Sequence, residues 1–349
     1  MARENLTFLR GVVVKKPFIV KNGDEYIYAL ANINVGRSER KVGDKTENYM
    51  KCDNPPIMTR DEECIKEMAK WEPNDVVGVK GVISSKHIKK GSICPHCGKK
   101  NSFTGAFVFV NPIFVEKICS CKSEKDALNY LVEHREVSNQ VFIFGTLCRD
   151  PKKIIPKKDL IVTQYQIAMN RKYRIKSDAP EVKTDYPWVK SYGDNAIEDH
   201  NRLFVGSEVF IDGCLQARSI NRKAICGQLI GKDGKGVFDS DGNPVLELDE
   251  NDSPIGCGGK YDWKDRAMEI VPFETEYISG YRTDEEIEAR EEERVRQRMR
   301  DLGLRDDVST SEMAFSNEDG GYETITEDDI DAGIDTMGLN SESEDNKDE

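Results

Sequence analysis

The chain has 349 residues, a hydrophobic fraction of 38% and a formal net charge of -13 at pH 7. This length has room for two or three domains of ordinary size, and the composition supports modest cores. No run of eighteen apolar residues occurs and residues 1–5 are polar, so the sequence predicts neither a membrane span nor an ordinary secretion signal. We therefore expect a cytoplasmic protein with no membrane partner.

The charge is unevenly distributed along the chain. Residues 1–280 hold 43 Lys and Arg against 40 Asp and Glu, whereas residues 306–349 hold one Lys against sixteen acidic residues. The segment 304–349 is also rich in Ser, Asn and Gly and has almost no aromatic residues, a composition typical of disorder. We predict a disordered acidic C-terminal tail over 304–349.

An internal repeat organises the rest of the sequence, which matches itself at an offset of roughly 132 to 134 positions. Asn5–Val13 aligns with Asn139–Leu147, and Val77–Ile83 aligns with Val209–Leu215. The runs Val77–Ile83 and Val209–Leu215 are each rich in β-formers and contain a glycine, which marks a bulge or a sharp strand bend. A short helix-like piece precedes the second run of each copy, and an insertion and a last strand follow it. Trp71 aligns with Leu203 at the end of this piece, so we expect it in the core.

Five short strands with one helix between the third and the fourth is the order of the OB barrel. We predict an all-β protein with minor helices and two tandem five-stranded OB-fold barrels, although the pattern alone also fits other pairs of small β-domains. Ser123 is the expected N-cap of a linker helix, and Thr283 with Glu286 forms a capping box for a charged helix. The predicted boundaries are 1–122 for the first barrel, 123–136 for the helical linker, 137–280 for the second barrel, 281–303 for the charged helix and 304–349 for the tail.

Two close cysteine pairs predict a metal site in the first unit. Cys94 and Cys97 flank a tight turn of the zinc-knuckle type, and Cys119 with Cys121 can close the tetrahedron from the end of the last strand. Four such ligands leave no position for water, so we expect one structural zinc per chain in a zinc-ribbon-like insertion. A reduced, metal-free cluster is the alternative.

The equivalent insertion of the second unit keeps only Cys226 and Cys257, which we interpret as too few ligands for a similar site.

Aromatic and basic residues alternate near residue 190. In an extended strand Tyr186, Trp188, Lys190 and Tyr192 share one face, and such a face can stack bases and neutralise phosphate. Basic runs at the expected hairpins add charge. The complete set of candidate nucleic-acid-binding residues is Arg37, Tyr49, Lys86, Lys89, Lys90, Arg171, Lys172, Tyr173, Arg174, Tyr186, Trp188, Lys190, Tyr192, Arg218, Arg222 and Lys223.

The second unit resembles the bacterial single-stranded DNA-binding protein (SSB) family from about Asn139 to Arg222. The motif that carries the resemblance in its first strand consists of Asn139, Val141, Ile143, Gly145, Leu147, Asp150 and Pro151. Residues 167–171 and 205–218 resemble two later motifs of the family, and the first unit resembles a diverged copy. The resemblance implies base-stacking roles for Tyr173, Tyr186 and Tyr192.

The resemblance also implies a function and an assembly. We expect a non-enzymatic protein that coats and protects single-stranded DNA in replication, recombination or repair, located in a bacterial nucleoid or encoded by a phage or mobile element. A homodimer would supply the four OB folds that family members commonly bring together. The acidic tail would compete with DNA for the basic surface and offer a site for replication or repair proteins.

Two other functional classes stay open at this point. A single-stranded RNA binder or a replication or recombination adaptor would use the same stacking face. An OB- and zinc-containing nucleic-acid-processing enzyme is the third class, since Lys260-Tyr261-Asp262-Trp263 is similar to a nucleotidyltransferase motif except for Trp263 in its glycine position. No phosphate-binding glycine loop or Ser-His-Asp arrangement accompanies it, so we expect no enzymatic activity.

Overall fold

The computed structural model describes residues 4–36, 52–134, 137–157, 160–171, 184–231 and 236–301. Within these ranges fourteen strands and four helices form. The strands are β1 (Asn5–Val13), β2 (Phe18–Asn22), β3 (Glu25–Gly36), β4 (Cys52–Asp53), β5 (Pro56–Thr59), β6 (Asp75–Ile93), β7 (Lys100–Ser120), β8 (Asn139–Leu147), β9 (Lys152–Lys157), β10 (Leu160–Asn170), β11 (Thr184–Asp185), β12 (Trp188–Tyr192), β13 (Glu208–Ile225) and β14 (Lys260–Ser279). The helices are α1 (Glu62–Met68), α2 (Glu124–Glu133), α3 (Asp194–Arg202) and α4 (Asp284–Asp301).

Two rings of five strands close on themselves. In the first barrel β1 pairs with β3 and β6, β6 with β7, β7 in parallel with β5, and β5 with β3. In the second barrel β8, β10, β12, β14 and β13 repeat this order, again with one parallel pair. Helices α1 and α3 each lie between the third and the fourth strand of their ring. This is the OB order, and it confirms the predicted fold class.

Equivalent asparagines show the repeat at the level of side chains. The Asn5 amide donates to the Ile83 carbonyl and accepts from the Ile83 N–H, both at 2.9 Å. Asn139 makes the same pair of hydrogen bonds with Leu215, at 2.8 and 3.0 Å. Both asparagines are fully buried, so these reciprocal bonds satisfy amides that water does not reach.

The glycines predicted to mark strand bends lie at bulges. The register of the long strand shifts between Lys80 and Gly81 in the first barrel and between Asp212 and Gly213 in the second. A Cβ at Gly81 would lie 2.7 Å from the Asn111 carbonyl oxygen, and one at Gly213 would lie 2.5 Å from that of Val271. Glycine is therefore required where the bent strand approaches its partner.

One hydrophobic core runs through both barrels. Trp71 and Leu203 are both buried in it, which confirms the expected core role of Trp71. The core is continuous because β1 pairs antiparallel with β8, from Asn5 opposite Ile143 to Leu9 opposite Asn139.

A local twofold axis relates the two barrels. The β1–β8 register maps onto itself when repeat-equivalent residues are exchanged. The same holds for two buried contacts, since the Ser85 N–H donates to Asp185 at 2.7 Å and the Ala217 N–H donates to Asp53 at 3.0 Å. The two units thus pack as a dimer within one chain.

Two long hairpins extend from the barrels and meet at their tips. Strands β6 and β7 pair from Asp75 opposite Ser120 to Ile93 opposite Lys100, and β13 and β14 pair in the same way as far as Ile225 opposite Lys260. Near the tips the hydroxyl groups of Ser92 and Tyr261 lie 2.7 Å apart. We call these two elements the hairpin pair.

The predicted helix caps are present. The Ser123 hydroxyl accepts from the Asp126 N–H at 3.2 Å and begins α2. At α4 the Thr283 N–H donates to Glu286 at 2.9 Å, and the Glu286 N–H donates back to the Thr283 hydroxyl at 3.3 Å. Among the helices of the described ranges, none is long and apolar enough to cross a membrane.

Candidate nucleic-acid interface and metal centre

A cleft of about 510 Å³ lies between the hairpin pair and the second barrel. Its walls come from both barrels and carry five basic side chains against two acidic ones. Its lining includes Lys90, Trp188, Arg222, Trp263 and Arg266. We call this surface the inter-hairpin cleft.

Two tryptophans line the cleft. The half-buried Trp188 lies on β12, and the Arg149 guanidinium is 5.3 Å from the centre of its ring. The half-buried Trp263 lies on β14 and contacts Phe103 of the other hairpin, with ring centroids 4.3 Å apart. Partly exposed rings in a basic cleft are the groups on which unpaired bases stack. Sequence reasoning missed Trp263 as a stacking candidate because its place opposite Phe103 depends on the other barrel.

Lys190 and Arg218 do not present open cationic groups. The Lys190 side chain is 11% exposed, and its Nζ lies 3.4 Å from the Glu269 carboxylate. Arg218 binds both oxygens of Glu269 at 2.9 Å through Nε and Nη2. The expectation that Lys190 lies on an open face is wrong, because Lys190 is itself buried and its ammonium group lies beside the Glu269 carboxylate.

Arg171 also has a structural partner. Its Nε and Nη2 donate to Asp185 at 2.6 and 2.8 Å, and the same carboxylate accepts from Ser85 of the first barrel. The Arg171 side chain is 9% exposed and that of Asp185 is fully buried. Arg171 therefore stabilises the contact between the two barrels through Asp185. The basic run had suggested instead that this arginine projects over a binding groove.

The other predicted cations divide into paired and surface groups. Lys90 and Arg222 both donate to Asp265, at 2.7 Å, and their side chains are 12% and 49% exposed. Burial acts to raise the pKa of Asp265, but these two hydrogen bonds lower it, and the net result is a lowered pKa. Lys86 lies over the Phe109 ring, while Lys89 and Lys223 are exposed.

The predicted tyrosines are partly described. Tyr186 is 51% exposed and Tyr192 is half-buried. Tyr186 precedes β12, and its carbonyl accepts from the Gln166 amide at 2.9 Å. Arg37, Tyr49, Lys172, Tyr173 and Arg174 lie outside the described residues, so their predicted roles stay predictions.

Four cysteine thiols form a cluster at the tips of the hairpin pair. The sulfur atoms of Cys94, Cys97, Cys226 and Cys257 all lie within 4.8 Å of one another. Two of the contacts that join the hairpins measure 3.7 Å, between Cys94 and Cys257, and 3.5 Å, between Cys97 and Cys226. A cluster of four thiols suits a soft or borderline metal ion, and each barrel supplies two of them.

The predicted ligands Cys119 and Cys121 are therefore wrong. Cys119 pairs with Val76 at the base of the first hairpin, whereas Cys94 follows Ile93 at its tip. The intervening strand is roughly 60 Å long at the usual rise per residue, so the two pairs cannot share an ion. The second half of the cluster comes instead from Cys226 and Cys257.

Local backbone geometry positions the exposed thiols in the same way on both hairpins. The Lys99 N–H is hydrogen-bonded to the Cys97 sulfur, and with a further bond from Cys226 it lowers the pKa of Cys97 to about 6. The Gly259 N–H is hydrogen-bonded to the Cys257 sulfur and acts to lower its pKa, but burial and the bonds with the other three thiols raise the pKa of Cys257 to about 11. In each turn the cysteine precedes a glycine with positive φ, +73° at Gly98 and +68° at Gly258.

The repeat itself contained the signal for the correct thiols. Cys226 follows Cys94 by 132 positions, the offset of the repeat, and each of them comes after an isoleucine that ends its strand. Cys97 and Cys257 each stand three residues before the first lysine of the next strand. The insertion of the second unit hides this equivalence because it separates Cys226 from Cys257.

Comparison with known proteins supports the resemblance of the second barrel to the bacterial SSB family. Residues 138–228 match the family model described as "Single-strand binding protein family". The chain resembles bacterial SSB. The matched segment contains β8 to β13 and therefore both Trp188 and Arg222 of the cleft.

Two solved structures of a bacterial single-stranded DNA-binding protein align with most of this chain. A deletion mutant of the single-stranded DNA-binding protein from Thermus aquaticus is 15% identical, with a TM-score of 0.48, 82% of this chain covered and 100% of that chain. The wild-type protein from the same organism is 13% identical, with a TM-score of 0.47, 81% of this chain covered and 97% of that chain. No curated protein matches the sequence.

Proposed function

We propose that this protein is a non-enzymatic single-stranded DNA-binding protein and that the inter-hairpin cleft is one of its DNA contacts. The observation that carries the proposal is the match of residues 138–228 to the single-strand binding family, since it includes the strand that presents Trp188. Coating of single strands in replication, recombination or repair is the process we propose.

The chemistry of the cleft supports this assignment. Trp188 and Trp263 offer ring faces, while exposed Lys264 and Arg266 and half-exposed Arg222 offer charge to phosphates. The two acidic groups of the cleft, Asp265 and Glu269, are already paired with basic side chains. They therefore repel a bound strand less than free carboxylates would.

Substitution of Trp188 by alanine tests the cleft. Loss of one stacked base costs about 1–3 kcal/mol, so the dissociation constant for fluorescein-labelled oligo(dT) should rise by about 5- to 150-fold in fluorescence anisotropy titrations. Phe238→Ala is the matched control, because Phe238 is an exposed ring outside the cleft. Equal affinities for Trp188→Ala and wild type, with both proteins folded, would remove the cleft from the interface.

Salt dependence and RNA competition test the binding mode. The slope of log affinity against log salt should be about -0.7 for each neutralised phosphate of a single strand. Titration with an RNA oligomer of matched sequence tests the preference for DNA. A tighter complex with RNA would favour the alternative of an RNA binder.

Two residues of the nucleotidyltransferase-like segment 260–263 pack against the other hairpin. Tyr261 is buried against Ser92, and Trp263 contacts Phe103. These contacts give Tyr261 and Trp263 structural roles, and Trp263 fills the position where the nucleotidyltransferase motif has glycine, which supports the proposal of a protein without enzymatic activity.

Assembly and the acidic tail complete the proposal. We propose a homodimer with four OB folds, for which light scattering is the direct test. We also propose a location in the nucleoid or on the DNA of a phage or mobile element.

The acidic tail lies outside the described residues. Deleting residues 305–349 should raise affinity for single strands at low salt, by a factor that shrinks as salt is added. Equal affinities at low salt would leave the tail only a recruiting or solubilising role.

A further inference from the structure

We propose that Cys94, Cys97, Cys226 and Cys257 bind one Zn²⁺ ion, which fastens the tips of the two hairpins to each other. Each barrel contributes two ligands to this site. The ion would therefore stabilise the contact between the barrels, whereas a zinc knuckle within one insertion would stabilise only its own turn.

The sulfur positions fit tetrahedral zinc. A Zn–S bond of about 2.3 Å places two sulfurs of a tetrahedron about 3.8 Å apart. The separations of 3.7 and 3.5 Å between thiols of opposite hairpins are close to this value, and all four sulfurs fall within 4.8 Å of one another. A disulfide needs about 2.05 Å, and all four cysteines are free thiols.

The site lies on the local twofold axis. Exchange of repeat-equivalent residues replaces Cys94 by Cys226 and Cys97 by Cys257. The contact between Cys94 and Cys257 then becomes the contact between Cys226 and Cys97, and both contacts are present at similar length. Two equivalent half-sites that face each other across a twofold axis provide the four ligands of a closed site.

The surroundings of the thiols favour metal-bound thiolates. Cys94 and Cys226 are fully buried and pack with Tyr261, while the Asn101 amide lies 3.8 Å from the Cys226 sulfur. Backbone N–H groups bond the two exposed sulfurs. Donors of this kind support ligating sulfurs, and four thiolates leave no position for water, so the ion is structural.

The hairpin pair gains order from such an ion, because a two-stranded hairpin that extends from its barrel is marginally stable alone. Beside the cluster, the Asn101 side chain accepts from the Gly227 N–H at 3.0 Å, and Phe103 contacts Trp263. Both contacts join opposite hairpins. Zinc would therefore hold Trp263 in place in the inter-hairpin cleft, a consequence that rests on the proposed function.

Metal content of site variants tests the ligand set. Elemental analysis of the full chain, purified without chelator, should give one zinc per chain. Cys94→Ser and Cys226→Ser should each lose it, whereas the matched controls Cys119→Ser and Cys121→Ser should retain it. Absence of zinc from the wild-type protein overturns the site, and so does retention by Cys226→Ser or loss from Cys119→Ser.

Wild-type protein offers a second test in case a variant fails to fold. Titration of its thiols with a mercurial should release one zinc, detected by a metallochromic dye. After chelation, hydrogen exchange should become about tenfold faster or more at both 94–100 and 226–259. Faster exchange in only one of the two segments overturns the bridge between hairpins.

DNA binding separates this proposal from the proposed function. Zinc-depleted protein should bind oligo(dT) more weakly than zinc-loaded protein. Unchanged affinity after zinc loss overturns the role of zinc in the cleft. A zinc-loaded protein that does not bind oligo(dT) overturns the proposed function and leaves the metal site standing.

Discussion

Replacement of Arg171 by alanine should destabilise the fold, although the basic run around Arg171 suggested a contact with DNA. Arg171 donates two hydrogen bonds to Asp185, whose carboxylate also accepts from the Ser85 N–H at 2.7 Å and the Ser85 hydroxyl at 3.2 Å. The substitution leaves this fully buried carboxylate without its cation. Removal of one partner of a buried ion pair costs about 3–5 kcal/mol.

The structure places the effect at the lower end of that range. Asp185 keeps both Ser85 donors, so we expect a loss of about 3 kcal/mol. Arg171→Lys retains the charge but loses one of the two hydrogen bonds that the planar fork makes, and we expect a loss of about 1–2 kcal/mol. Lys89→Ala is the matched control, because Lys89 is exposed and should change stability by no more than about 0.5 kcal/mol.

Urea unfolding followed by circular dichroism and by tryptophan fluorescence measures these changes, and coincident transitions justify comparison of the free energies. In a double-mutant cycle, Arg171→Ala and Asp185→Ala should show strong coupling. A free energy of unfolding for Arg171→Ala within about 0.5 kcal/mol of the wild-type value would contradict a structural role for Arg171. An unchanged stability together with weaker binding of oligo(dT) would give Arg171 the role in DNA contact that the sequence suggested.

Two further substitutions test the ion pairs of Asp265 and the β-bulge at Gly213. Asp265→Asn should cost about 2–3 kcal/mol at pH 7, because Lys90 and Arg222 lose their carboxylate. The lowered folded-state pKa of Asp265 means that this stability is present above the unfolded pKa of about 3.9 and disappears as pH falls through the folded value. The difference in urea midpoint between the two proteins should therefore shrink as pH falls below about 3.9 and vanish once Asp265 is protonated in the folded protein. A difference that stays constant on acidification would contradict this cause. Gly213→Ala should cost about 1–3 kcal/mol, because its Cβ would meet the Val271 carbonyl oxygen at 2.5 Å. Gly91→Ala is the control, since the nearest atom lies 3.8 Å away, and equal urea midpoints for both variants would show that the bulge tolerates a side chain.

Sequence patterns were sufficient for features that depend on near neighbours or on the repeat. The repeated runs of β-formers and the glycines at 81 and 213 predicted the strands and their bends, and the alignment of Trp71 with Leu203 predicted a core position. Ser123 and Thr283 cap helices because their side chains reach only three residues along the chain. Closure of each barrel then follows from the order of its strands.

The partners of charges and thiols were decided by the tertiary structure. Lys90 meets Asp265 across 175 positions, and Cys94 meets Cys257 across 163. Such contacts exist only because the barrels pack about a twofold axis that brings the hairpin tips together. A basic residue in a strand has the same local pattern whether it faces solvent or a buried carboxylate, so the sequence alone could not distinguish Lys190 from an open phosphate contact. The cysteine pairs were recognisable as half-sites, but which two halves share an ion depends on how the hairpins pack in three dimensions.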